Sequence, residues 1–182
     1  MTKLNLILSP NPVLNEISKP VEKVDAILQK LMDDMLETMY QEGGIGISAV
    51  QVGVLKRILV MDVEYVLDKC EDDCGHNHNK PANPNPIYMV NPVIIKSSKE
   101  LSVYREGCLS FPEFRTDIER PKEVTIEFLD YFGNKKTLQA DGILATCVQH
   151  EMDHLNGITL IDHLSKIKKE MVLKKMKKIN PK

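Results

Sequence analysis

Hydrophobic and polar positions change period along this chain, and the changes mark its elements. From Asp25 to Tyr40 the apolar residues Ile27, Leu28, Leu31, Met35 and Met39 recur at mostly helical spacing, which predicts an amphipathic helix. EGGIG (42–46) ends it, because glycine closes helices and permits unusual backbone angles. VLKRILVMDV (54–63) is a β-branched run and reads as a strand. YMVNPVIIKSS (88–98), LSVYR (101–105) and FRTDIER (114–120) read as further strands, and 123–141 reads as a hairpin around FGN. A helix is predicted from Asp141 to Asn156, stopped by Gly157. A last helix runs from Asp162 to the lysine-rich end, with Leu164, Ile167 and Met171 as its seam.

The N-terminal NPVLNEISKPVEKV is rich in Pro and Asn and reads as irregular. Strands segregated between helices predict an α+β fold. A chain of 182 residues suits one catalytic domain, residues 1–182, with a polar loop inserted at 68–86 and a basic C-terminal helix at 162–182. No run of about 18 apolar residues is present, so no membrane span is expected. The N-terminus lacks a long apolar stretch before a small-residue cleavage site, so the cytoplasm is the expected compartment. There the four cysteines, at 70, 74, 108 and 147, are core residues, metal ligands or nucleophiles rather than disulfides.

Charge is near balance overall, at −2, but unevenly spread. The stretch from Ser165 to Lys182 holds eight Lys against one Glu, or +7, which leaves −9 on residues 1–164. Such asymmetry suggests a basic appendage for an acidic partner.

The chemistry concentrates in CVQHEMDHLNG (147–157). On a helix, His150 and His154 point the same way and can grip one metal ion, with Glu151 beside a water at that ion. A lone His on an apolar face is usually a core residue, and the HExxH pattern also arises by chance. A hydrolytic metal needs a third protein ligand and one open position. A third His three residues after the helix-ending glycine is ruled out, since that position is Leu160. Glu170 reads as a solvated charge among lysines, and Asp162 as a cap of the last helix. Cys147 lies about 10 Å along the helix from His154, at about 1.5 Å per residue, and reads as the floor of the site. Cys108, after Gly107 and Glu106, would complete a thiolate–imidazole–imidazole set. Spacing leaves that choice open.

Three segments together change the picture. GIGISAVQ (44–51), EGCLS (106–110) and HEMDH (150–154) resemble, in order, the three motifs of the peptide deformylases, and the likeness covers nearly the whole chain. The resemblance implies an α+β fold in which the HExxH helix packs against antiparallel sheets. It implies a metal-dependent hydrolase that removes the formyl group from the initiator methionine of new polypeptides. Cys108, His150 and His154 are then the metal ligands. The ion is expected to be Fe(II), with Zn, Ni or Co able to replace it. Glu151 is the expected general base, and the Gln51 side chain and Leu109 backbone N–H are the expected oxyanion donors. Without the motif, Gln51 reads as an ordinary polar residue at a strand start.

The substrate cleft implied by the same resemblance involves Gly44, Ile45, Gly46, Glu106, Gly107, Arg115, Ile143, Thr146 and Cys147. The glycine-rich segment pairs with the peptide as an added strand. Glu106 and Arg120 are expected to be an ion pair that steadies the ligands. Ser48 stands where the motif commonly has alanine, and Thr146 where an aliphatic residue is common. Both departures read as minor. CEDDCGHNH (70–78) offers Cys70, Cys74, His76 and His78, either as a small zinc loop or as a solvated loop. The partners expected are N-formyl-Met nascent peptides and, through the basic helix, the ribosome; neither membrane nor DNA is expected. The rivals are an HExxH metallopeptidase, which needs a downstream ligand and no Cys108, and a non-catalytic metal-binding module, in which Glu151 is incidental.

Overall fold

The computed structural model describes residues 2–64 and 84–180. The cysteines and histidines of the 68–86 insertion lie outside the described residues. Three helices are described: α1 (Ala26–Gln41), α2 (Gly142–Leu155) and α3 (Lys166–Ile179). Seven strands accompany them: β1 (Gly46–Ser48), β2 (Ile58–Met61), β3 (Ile87–Ser97), β4 (Leu101–Cys108), β5 (Phe111–Pro121), β6 (Glu123–Leu129) and β7 (Lys135–Asp141). All named pairings are antiparallel. Five strands form one sheet in the order β1-β2-β3-β6-β7, and β4 and β5 form a separate ribbon.

Strand β2 explains why its sequence shows no alternation. All four residues are fully buried, with Ile58 and Val60 turned to α1 and Leu59 and Met61 turned to α2. A strand covered on both faces needs apolar residues at every position. The next strand, β1, obeys the same period. Ile47 joins the α1 side of the core, so Gly46 and Ser48 face α2. On the α1 side Met32, Met35 and Met39 are fully buried, each stabilising the fold by roughly 1.5–3 kcal/mol through the apolar surface removed from water.

Helix boundaries follow their local chemistry. Asp25 caps α1 by accepting from the Leu28 N–H at 2.9 Å. Gly157 (φ +73°) follows α2 in the left-handed region, and a Cβ there would lie 2.5 Å from the Asn15 carbonyl oxygen. The chain's N-terminal segment is thereby seated against the end of α2, and Asn15 Nδ2 donates to the Gly157 carbonyl.

The structure corrects several expectations. The strand expected at 54–63 is only Ile58–Met61, because residues 54–57 turn to meet Lys19 in an isolated bridge. Ile27, expected on the buried face of α1, is 81% exposed, since it sits in the first turn beyond the edge of the sheet-facing stripe. The last helix begins at Lys166, and residues 160–163 form a separate 3-10 turn. Its seam is Val172 and Met176, packed with Phe111 and Ile161, whereas Ile167 and Met171 are exposed. The reason is the break at Leu164–Ser165, which resets the helical phase. Asp162 caps that 3-10 turn, accepting from the Thr159 N–H and hydroxyl at 2.7 Å each, and does not cap α3.

Candidate active site and metal centre

Two periodicities converge on one cleft. On α2, Ile143, Thr146, Cys147, His150, Glu151 and His154 follow at three- and four-residue steps and share one face. On β4, Glu106 and Cys108 are two apart and point the same way, toward α2. Cys108 Sγ lies 3.2 Å from His154 Nε2. The donor atoms of Cys108, His150 and His154 all lie within 4.8 Å of one another. An ion with ligand bonds of about 2.0–2.3 Å can draw such a set together.

The rest of the ring chemistry fits a cation. His150 Nδ1 donates to Glu106 Oε2 at 2.8 Å, which leaves Nε2 as the free ligand atom. Burial holds the His154 ring well below ordinary imidazole basicity, hence neutral and able to coordinate. Burial acts on His150 in the same sense, but Cys108 and Glu106 beside it outweigh this and hold its pKa well above the ordinary value. Coordination there requires that proton to leave. One thiolate and two imidazoles make a borderline-to-soft donor set, suited to a first-row divalent ion.

Behind the donors lies a buried ion pair. Arg120 Nε donates to Glu106 Oε1 at 2.6 Å and Arg120 Nη2 to Glu106 Oε2 at 3.1 Å. Burial raises the Glu106 carboxyl, but His150 and Arg120 overcome this and hold it below the usual range. Arg120 Nη1 also donates to Asp153 Oδ2 at 2.8 Å, a partner that sequence reasoning missed.

Glu151 is 3% exposed, and its Oε2 has no hydrogen-bond partner among the described residues. Burial pushes its pKa up to about 7, with His150 and Ser48 pulling the other way. A carboxylate poised there can both accept and return a proton near neutral pH.

Gln51 belongs to a buried 3-10 turn (Ala49–Val52) rather than a strand start. Its Oε1 accepts from the Ser48 N–H and from the Ser48 hydroxyl, at 2.9 Å each. The amide orientation is thereby set, and Nε2 is left 3.6 Å from Cys108 Sγ and 3.2 Å from Ser110 Oγ. Ser48 is therefore more than a minor departure from alanine. Its pattern position hid this, because only the fold brings the hydroxyl to Gln51 and Glu151.

The cleft has a volume of about 400 Å³. Gly44, Ile45, Gly46, Glu106, Gly107, Cys108, Leu109, Arg115, Ile143, Thr146, Cys147, His150 and Glu151 all line it. Gln51, His154 and Arg120 stand behind this lining. Tyr104, Arg105, Phe114 and Glu42 line it as well and were not anticipated. Gly44 has a steric reason, since a Cβ there would lie 2.8 Å from the Leu109 side chain; at Gly107 a Cβ would make only ordinary contact with Arg115, its Cγ 3.4 Å away. Cys147 is at the floor, with its thiol pushed well up by burial and so un-ionised. Among the downstream candidates, Glu170 is exposed and Asp162 is occupied by Thr159 and Lys169.

The comparisons agree with this geometry. Residues 3–170 match the family described as Polypeptide deformylase. A peptide deformylase of Pelagibacter ubique is 50% identical over 179 residues, covering 98% of this chain and 96% of that one. One from Rhizobium meliloti is 45% identical over 178 residues, covering 98% and 94%. The crystal structure of the Ehrlichia chaffeensis peptide deformylase in complex with actinonin superposes with a TM-score of 0.87 at 41% identity, covering all of both chains. With motif order, donor geometry and whole-length likeness in accord, the chain belongs to the polypeptide deformylase family.

Proposed function

We propose how the residues of this site divide the family's reaction. The chain is a metal-dependent hydrolase that removes the formyl group from an N-terminal methionine, releasing formate. The observation that carries the assignment of roles is the approach of Cys108, from one ribbon, to His150 and His154, from one helix. These three hold one divalent ion, Fe(II) in the native enzyme, with Zn, Ni or Co able to substitute. When bound, the ion supplies Lewis acidity to the formyl oxygen and lowers the pKa of water.

Glu151 removes a proton from the attacking water and passes one to the leaving amine. Attack on the formyl carbon puts negative charge on its oxygen, and the C–N bond then breaks. Gln51 Nε2, preset by Ser48, and the Leu109 N–H donate to that oxygen. Gly44, Ile45 and Gly46 offer backbone to an extended peptide. The apolar floor formed by Ile45, Ile143, Thr146 and Cys147 takes the methionine side chain, with Arg115 at the mouth. Residues 1–182 act as one catalytic domain in the cytoplasm. Among the described residues no helix is long and apolar enough to cross a membrane.

A pair of variants tests this assignment on a short formyl-Met peptide. Cys108→Ala loses metal and activity. Glu151→Gln keeps metal and loses about 10²–10⁴-fold in kcat. A Glu151→Gln enzyme of full activity removes the proposed base. Full metal content in Cys108→Ala revives a metallopeptidase-like ligand set. Metal analysis of anaerobically purified protein identifies the native ion.

The basic helix α3 docks on the ribosome, where nascent substrates emerge. Ile167, Met171, Lys174 and Lys178 follow one another on one exposed face. Truncation would also strip Val172 and Met176 from the core, so the test is Lys174→Glu with Lys178→Glu. Cosedimentation with ribosomes falls while hydrolysis of the short peptide is retained; unchanged cosedimentation at low salt excludes the contact.

A further inference from the structure

We infer that Asp153 and His163 are positioning residues for the metal centre, locking the Arg120–Glu106 pair that orients His150. The inference rests on the Cys108–His150–His154 reading of the site. The contacts run in one unbroken line. His163 Nε2 lies 2.8 Å from Asp153 Oδ2, and Arg120 Nη1 donates to that same oxygen at 2.8 Å. A carboxylate oxygen only accepts, so His163 carries its proton on Nε2. Arg120 then holds both oxygens of Glu106, and Glu106 Oε2 accepts from His150 Nδ1.

The line joins the elements whose spacing decides whether the donors meet. Cys108 is two residues from Glu106 on β4, Arg120 is on β5, and Asp153 adjoins His154 on α2. Arg120 is thus a bracket between the ribbon that carries the thiol and the helix that carries the imidazoles. Side-chain exposure rises along it, from 5% at Glu106 and 7% at Arg120 to 21% at Asp153 and 31% at His163. The outer end is where water competes for Arg120, and the His163 ring covers Asp153 there. His163 is itself held in place, because its 3-10 turn is capped by Asp162 and anchored by buried Leu160 and Ile161.

The test uses full-length protein loaded with Co(II), with release to a chelator followed by the cobalt visible bands, and melting temperature measured in parallel. Asp153→Ala releases cobalt about tenfold faster or more, the usual scale for residues behind metal ligands. His163→Ala releases it faster by a smaller factor, and its cobalt bands shift. His163→Gln, which keeps an N–H donor of similar reach, restores release toward the wild-type rate. Both His163 variants lose the ring's packing, so a purely structural role lowers their melting temperatures alike and leaves cobalt release unaltered; that result overturns the inference. Asp153→Asn, which removes the carboxylate charge that holds Arg120, serves if Asp153→Ala does not fold: cobalt release again quickens, and wild-type release from it likewise overturns the inference. Cys108→Ala separates the two readings. If it loses cobalt while the Asp153 variants release at the wild-type rate, this inference alone fails. If it retains cobalt fully, the ligand set itself is wrong.

Discussion

Gly46 and Glu151 meet across a space that only a glycine leaves. A Cβ at residue 46 would lie 2.8 Å from Glu151 Oε1 and 2.7 Å from Cys147 Sγ. Both side chains are buried, so neither moves aside without disturbing the floor of the cleft. Gly46→Ala therefore displaces the carboxylate proposed as base. We expect kcat to fall about 10- to 100-fold, the scale for a misplacement near 1 Å, with metal content unchanged. Wild-type kcat in the fully metallated variant would show that the carboxylate tolerates the shift.

Ser48 is fully buried, and its hydroxyl is the second donor to Gln51 Oε1. Ser48→Ala keeps the backbone N–H donor and removes only the hydroxyl. A net hydrogen bond contributes about 1 kcal/mol, so kcat/KM should fall roughly fivefold. An unchanged kcat/KM means that the backbone donor alone sets the amide.

Arg120→Ala would leave Glu106 and Asp153 without their shared cation. Breaking a buried ion pair from one side costs about 3–5 kcal/mol, because the remaining charge stays buried. Urea unfolding of the variant should show a loss of that order. A loss below about 1 kcal/mol would place the pair with weak surface bridges.

Gly157→Ala tests the seat of the N-terminal segment. Its φ of +73° is unfavourable for any L side chain, and the Cβ would meet a backbone oxygen, which cannot swing away. A loss of roughly 2 kcal/mol or more is expected, most of it visible as a lowered melting temperature. A melting temperature equal to wild type contradicts the close contact with Asn15.

Asp162 yields a pH dependence. Burial raises its carboxyl, but Lys169 and the Thr159 donors outweigh this and hold it below the usual carboxylate range. A depressed native pKa contributes stability that is present above the unfolded value of about 3.9 and lost as pH falls through the native value. The stability gap between wild type and Asp162→Asn should thus be full near neutral pH and close in acid. A gap that stays constant down to about pH 2 rules out an ionised Asp162 as its source.

Much of the architecture was legible in local pattern. The α2 boundaries, Gly157 as its stop and the hairpin at 130–134 follow from period and turn chemistry. The motif glycines and the HExxH face were legible for the same reason, since helical spacing alone aligns His150 with His154. The register of α3 was not. A helix with apolar residues on more than one face has several candidate seams, and Phe111 and Ile161 chose Val172 and Met176. Ser48 read as a minor change because its role depends on Gln51 bending back in a turn.

The sequence by itself determined which side chains could do the chemistry and how each lies along its own element, because helical and strand periods act over a few residues. Only the tertiary structure decided which elements meet. Cys108 and His154 are 46 residues apart, and Glu106 and His150 are 44 apart, yet each pair is in contact. Asp153 and His163 entered the site's supporting network only once the ribbon was packed on α2. Their contacts depend on the burial of β2 and α2 on shared apolar faces, a non-local balance that no short window of sequence contains.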